Sequence, residues 1–160
     1  MSLTVRAATV DDVDLLHRFS VDLARYEDEP DAVTSTPQTL ARDGFGADPK
    51  FAALIAERDG VPVGFALYTF NYSVWTAARG IFIEDIWVVP EARRGGVARA
   101  LMQALARECL ALRQEQIPDD WRTLNARSML GGSLLGQKKY ADAEPLLLAR
   151  SEEHTSELRH

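Results

Sequence analysis

Apolar and polar residues alternate in ways that predict most of the elements. Residues 4–7 read as a short strand. Val13, Leu16, Phe19 and Leu23 then recur at helical spacing, which predicts a helix over 10–26. Thr9 suits its N-cap, with Asp12 three residues on in the manner of a capping box. An acidic loop occupies 27–31. Thr36-Pro37 opens a second short helix, with proline at the first helical position, and Gly44 and Gly46 close it. Residues 51–58 and 61–70 read as strands, and Asp59-Gly60 between them is a hairpin signal. A loop is predicted over 71–80 and a further strand over 81–89, apolar almost throughout except for Glu84 and Asp85. The helix predicted over 96–113 carries Val97, Leu101, Leu105, Cys109 and Leu112 on one stripe.

Beyond position 114 the pattern changes. Residues 117–120 read as a turn, and 120–137 as a helical stretch interrupted by Gly131, Gly132 and Gly136. Lys138-Lys139 marks a second turn and 140–150 a last helix. No strand pattern follows Val89. Residues 151–160 are polar and aperiodic, which predicts a frayed tail.

Composition narrows the class. The chain has 160 residues, enough for a compact domain, and 46% of them are hydrophobic, as in globular proteins. A net charge of -6 argues against nucleic acid as a partner and suits a cationic substrate. The single cysteine, Cys109, allows no internal disulfide and points to a reducing, cytoplasmic compartment. The start lacks a basic stretch followed by an apolar run, so no signal peptide is predicted. The apolar runs are too short to span a membrane. His17, His154 and His160 are scattered, so no metal site is expected.

Within this acidic chain one segment is basic. The strand ending at Val89 runs through Pro90-Glu91-Ala92-Arg93-Arg94-Gly95-Gly96 into the helix that starts near Val97. Glycines that open a helix expose backbone N–H groups, and these together with arginines make a seat for phosphate. Arg93, Gly96 and Ala98 fit the pattern R/Q-x-x-G-x-G/A. The bland alternative is a sharp helix start that uses glycine only for its turn. The preceding apolar strand and the long helix that follows favour a phosphate-bearing cofactor.

The residues around this turn resemble the GNAT superfamily of N-acetyltransferases, and within it the diamine (polyamine) branch, over about 4–112. The resemblance rests on Val5-Arg6-Ala7-Ala8, Leu23-Ala24-Arg25-Tyr26-Glu27, Asp43-Gly44-Phe45-Gly46, Val63-Gly64-Phe65-Ala66-Leu67-Tyr68, Phe70-Asn71-Tyr72-Ser73-Val74-Trp75 and Ile83-Glu84-Asp85-Ile86-Trp87-Val88. It implies an α/β fold: a partial GNAT sheet, mixed and mostly antiparallel, flanked by helices. It implies acetyl-CoA as cosubstrate, with the pantetheine arm on the backbone of Ile86, Trp87 and Val88. The turn Arg93, Arg94, Gly95, Gly96, Val97, Ala98 and Arg99 would hold the pyrophosphate. Arg94 stands where the family commonly has its first glycine. If it must adopt a positive φ, strain of about 1 kcal/mol is expected.

Acetyl transfer to an amine also needs a proton acceptor. The resemblance makes Glu84 that catalytic group and implies that Tyr26, Glu27, Trp75, Glu84 and Asp85 bind the amine. A charged pair at a strand edge and a solvated acidic loop are the bland readings of the same acids. Successive strand residues face opposite ways, so one of Glu84 and Asp85 is expected to face the site. Ser73 stands near where polyamine acetylases carry an acid, so the implied substrate is a small primary amine or diamine, or an amino-acid-like molecule. Enzymes of this branch are homodimers, which implies a homodimer here.

The resemblance stops near Leu112. The family's next strand, and the tyrosine that serves as general acid for the departing thiolate, have no counterpart, and Tyr140 is no substitute. Residues 107–148, with Leu130, Gly131, Tyr140, Ala143 and Leu147, resemble a tetratricopeptide repeat instead. Residues 150–158 resemble an in-frame translation of a sequencing adapter. The expected organisation is an acetyltransferase portion over 1–113, a repeat-like helical hairpin over 114–149 in place of the last strands, and a tail over 150–160. Such a chain would be a chimera joined within 105–112. Two rival functions follow: a non-catalytic acetyl-CoA binder, and an interaction module acting through the C-terminal helices.

Overall fold

The computed structural model describes residues 1–116 together with 123, 126, 127, 130–132, 134, 139 and 141–146. Tyr140, the turn at 117–120 and the tail 150–160 therefore lie outside the described residues. The elements run β1 (Leu3–Ala7), a 3-10 turn (Val10–Asp12), α1 (Val13–Tyr26), α2 (Pro37–Phe45), β2 (Ala52–Arg58), β3 (Val61–Ser73), β4 (Ala78–Val88), a second 3-10 turn (Pro90–Ala92) and α3 (Val97–Gln116). The four strands form one antiparallel sheet in the order β1-β2-β3-β4. The chain divides into two compact units, 1–71 with 81–104, and 72–80 with 105–160.

The first unit is built on α1 and the sheet. Leu16 and Phe19, three residues apart on one helix face, are buried against Ala53, Ile55, Phe65 and Trp87. The Phe19 and Phe65 rings stack with centroids 5.7 Å apart. Phe65 therefore faces α1, and Gly64 beside it faces the other way. A Cβ at Gly64 would lie 3.3 Å from Val97 Cγ1, so the start of α3 packs on that second face. Residues 53–56 of β2 and 63–66 of β3 are buried on both faces, which is why these stretches are apolar without alternation.

The Asp59-Gly60 hairpin forms as the sequence indicates. Both residues have positive φ, +51° and +79°, as a two-residue hairpin turn of the primed type requires. The β2–β3 ladder shifts register between Ala56 and Glu57, where Pro62 lies opposite Glu57. Proline has no N–H to give, so an irregular position tolerates it. The expected loop over 71–80 is shorter in the structure. β3 runs on to Ser73 and β4 starts at Ala78, because strand pairing satisfies more backbone groups than a loop would.

Asp12 joins β1 to the entry of α1. Its carboxylate accepts hydrogen bonds from Arg6 Nη1 and Nη2 at 2.8 and 2.9 Å and from the Thr9 backbone N–H at 2.8 Å. Arg6 also reaches Glu57 on β2 at 2.9 Å. The Arg6 hydrogen bond lowers the Asp12 pKa from 3.8 to about 2, against the cost of burial and with help from Thr9. A depressed folded pKa stabilises the fold above the unfolded value, and that contribution is lost as pH falls from about 4 to about 2. Asp12→Asn is expected to cost about 1–2 kcal/mol at pH 7, with Arg6 part-exposed and screened, and almost nothing at pH 2. Urea unfolding at the two pH values checks this, and an equal cost at both would rule out the ion pair as its source.

In the second unit Leu110, Leu130, Leu134 and Ala143 form a small core with Ala126 and Leu146 against it. The described residues within 123–134 and 141–146 are helical. The hairpin tip belongs to this unit, and its Arg79 backbone N–H donates to Gln116 Oε1 at 2.7 Å.

Candidate functional site

The end of β4 and the start of α3 form a cleft of about 290 Å³. It is lined by Val88, Ala92, Arg93, Arg94, Gly96, Val97, Ala98 and Arg99, among them no acid. The first helical hydrogen bond runs from the Ala100 N–H to the Gly96 carbonyl at 3.0 Å. The amides of Val97, Ala98 and Arg99 precede it and have no acceptor within the helix. Arginine charge, free amides and the positive end of the helix converge on one small space, as a phosphate group requires. Arg94 has φ +62° and Gly96 φ +80°. The positive φ considered for Arg94 is thus present, at a cost of about 1 kcal/mol for a residue with a Cβ.

Seven of the ten residues expected to hold the cofactor line this cleft. The other three are Ile86, Trp87 and Gly95. Trp87 has its side chain in the core, 6% exposed, although its backbone belongs to the terminal strand of the described sheet. Its indole Nε1 is buried without a hydrogen-bond partner among the described residues. Gly95 directs its carbonyl to Arg58, which donates from Nη2 at 3.1 Å.

Arg93 does more than its place in the motif suggests. Its guanidinium lies over the rings of Tyr26 and Trp87, with Cζ 4.6 and 4.8 Å from their centroids. Its Nε donates to the Val88 carbonyl at 3.1 Å. The Tyr26 and Trp87 rings are themselves 5.6 Å apart. The side chain therefore braces the end of α1 against the end of β4, each cation–π contact being worth about 0.5–2 kcal/mol. Nothing in the sequence signals this contact, because Tyr26 and Arg93 are far apart along the chain.

The acidic residues meet on the same unit. Glu27 caps the C-terminus of α1, and Asp28 beyond it has φ +61°. Glu84 is exposed and accepts a hydrogen bond from Thr69 Oγ1 at 3.0 Å. Asp85 is half-buried, and its pKa is raised, first by burial and then by repulsion from Glu27 and Glu84. Asp85 thus lies within the field of both Glu27 and Glu84, and a cation beside it would be favoured. Trp75 lies in the second unit and is 91% exposed.

The raised Asp85 pKa has a consequence for stability. The folded state holds this proton more tightly than the unfolded chain does. Its contribution is complete below the unfolded pKa and is lost as pH rises through the raised folded value. Above the unfolded pKa the group therefore opposes folding. Asp85→Asn is expected to raise the melting temperature at pH 7 and to leave it unchanged near pH 3. Thermal scans at both pH values check the sign, and a fall at pH 7 would contradict it.

Among the described residues no group of three or more His, Cys, Asp or Glu could hold a metal ion, and no helix is long and apolar enough to cross a membrane.

Comparison with known proteins gives a consistent picture. Residues 16–117 match the profile of the Acetyltransferase (GNAT) family. A thialysine N-epsilon-acetyltransferase from Sus scrofa is 35% identical over 147 residues, covering 80% of this chain and 86% of that protein. The spermidine/spermine N(1)-acetyltransferase-like protein 1 of Homo sapiens is 33% identical over 109 residues, covering 64% of this chain and 16% of that protein. Among solved structures, an aminoglycoside acetyltransferase from an uncultured soil metagenomic sample superposes with a TM-score of 0.58 at 23% identity, over 69% of this chain and 74% of that one.

Proposed function

The chain belongs to the GNAT family of acetyltransferases, and we propose that it transfers an acetyl group from acetyl-CoA to a primary amine of a small diamine or amino-acid-like molecule. The observation that carries this reading is the pairing of two opposite fields around β4. An acid-free cleft at the strand's end suits the cofactor's phosphates, and the strand also bears two of the three carboxylates that suit an ammonium group. The names of the relatives, a thialysine N-epsilon-acetyltransferase and a spermidine/spermine N(1)-acetyltransferase-like protein, support an acceptor with a terminal amine and a second charged group.

In this reading the amides from Arg94 to Arg99 hold the pyrophosphate, and the backbone of Ile86, Trp87 and Val88 pairs with the pantetheine arm. When bound, acetyl-CoA supplies the acetyl group as an activated thioester. Glu84 accepts the proton that the ammonium group must lose before it can attack, directly or through a water molecule. Thr69 holds the Glu84 carboxylate by one oxygen and leaves the other oxygen for this work. Glu27 and Asp85 draw the cationic substrate, and Tyr26 lies against its alkyl chain. The single cysteine supports a reducing, cytoplasmic home for the enzyme.

Calorimetric titration with acetyl-CoA, followed by an acetylation assay over diamines, lysine-like amino acids and monoamines, tests the reading. Binding followed by transfer to a diamine or a lysine-like amine is expected. Binding without transfer to any amine would reduce the chain to a non-catalytic acetyl-CoA binder. An absence of binding in the folded chain would remove the function altogether.

A further inference from the structure

We propose that Arg58 is a positioning residue for the anion-binding turn: by holding the Gly95 carbonyl it aims the Gly96 amide N–H into the cleft. The inference rests on the acetyl-CoA reading above. It assigns work to a residue on β2, two strands away from β4 in the sheet order.

The geometry is specific. Arg58 Nη2 donates to the Gly95 carbonyl at 3.1 Å. The chain has no cis peptide bonds among the described residues, so the Gly95 carbonyl and the Gly96 N–H of the same planar unit point in opposite directions. With the carbonyl turned to Arg58, the N–H is presented on the other side. Gly96 lines the cleft and Gly95 does not.

The peptide needs such a latch. It lies within a turn whose residues Arg94 and Gly96 both have positive φ. Turns of this kind can rotate a central peptide at small cost, because glycine accepts either sign of φ. Rotation here would turn a carbonyl dipole toward the phosphate in place of an N–H. Arg58 opposes it from a fixed base, since the neighbouring Asp59 is tied to Ser2 by two hydrogen bonds of 2.7 and 2.9 Å.

Gly95 supplies an independent observation. Its φ is not positive, so glycine is not needed there for backbone conformation. A Cβ at Gly95 would instead lie 2.3 Å from Arg58 Nη2, 3.1 Å from its Cζ and 3.1 Å from the Ala92 carbonyl oxygen. Glycine at 95 thus leaves room for the guanidinium. Alanine would displace it, removing the same contact from the opposite side, and would in addition press on the Ala92 carbonyl.

The test compares wild type, Arg58→Met, Gly95→Ala and the double variant. Each is titrated calorimetrically with acetyl-CoA and with acetyl-pantetheine, which lacks the pyrophosphate. The Gly96 amide resonance is followed in the ligand-free proteins. Each single variant is expected to weaken acetyl-CoA binding by about five- to twentyfold and to leave acetyl-pantetheine unchanged. The double variant is expected to be no weaker than the weaker single one, because both act on one contact. The Gly96 resonance should shift or broaden in all three. Unchanged acetyl-CoA affinity in Arg58→Met, equal losses for both ligands, or additive losses in the double variant would each overturn the proposal. Wild type that binds neither ligand would instead overturn the acetyl-CoA reading on which it rests.

Discussion

Gly96→Glu is expected to weaken acetyl-CoA binding by roughly a hundredfold or more, the largest loss of affinity foreseen for a single change in the turn. Two effects combine. Gly96 has φ +80°, and forcing a residue with a Cβ into that region costs about 1–2 kcal/mol. The site is otherwise open, with no atom within 4 Å of where a Cβ would stand, so the new side chain meets no clash at its base. Its carboxylate would settle at the start of α3, where the helix end and nearby Arg94 and Arg99 favour negative charge. That attraction offsets part of the backbone strain and keeps the chain folded. It also fills the place that the proposed function gives to the pyrophosphate. Two charge-assisted hydrogen bonds to backbone N–H groups, at about 1.5–3 kcal/mol each, are then unavailable. Gly96→Ala separates the effects, because it carries the same φ cost without the charge and should bind within about tenfold of wild type. Calorimetry on both variants decides the matter. Unchanged affinity in Gly96→Glu would place the phosphates elsewhere.

The turn is legible in the sequence because its requirements are local. Glycine, arginine and the strand-to-helix switch lie within a few residues, and the departure from glycine at Arg94 points to the positive φ that the structure has. The Leu16 and Phe19 face and the Asp59-Gly60 hairpin are legible for the same reason. The ends of β3 and β4 are not, because Asn71, Ser73 and Arg79 read as loop residues until cross-strand pairing is known. The contacts that organise the site join residues distant in sequence: Arg93 on Tyr26, Arg58 on Gly95, and Glu27 near Asp85. Hydrophobic periodicity carries no information about such polar pairs. Arg58 in particular reads as an ordinary strand-end charge until the β2–β3 hairpin brings it to the turn.

Glu84→Gln is expected to lower kcat by about a hundred- to ten-thousandfold at neutral pH, the range of a lost general base. The acceptor arrives as an ammonium ion, whose pKa in water is about 10. At pH 7 only about one molecule in a thousand is already neutral, so without a proton acceptor most encounters are unproductive. Glutamine keeps the size of the side chain and can still accept the Thr69 hydroxyl bond, so the fold and acetyl-CoA affinity should be preserved. The deficit should shrink as pH rises toward 10, because solvent then removes the proton that Glu84 would have taken. Asp85→Asn and Glu27→Gln should behave differently. They remove charge that draws the substrate without removing the base, so KM for the amine rises while kcat changes little. Half-buried Asp85, with its raised pKa, is the rival candidate for the base. A pH–rate profile on all three variants separates the roles. If Asp85→Asn loses kcat with recovery at high pH and Glu84→Gln does not, the proton passes to Asp85, and Glu84 belongs with Thr69 as part of the strand's outer surface.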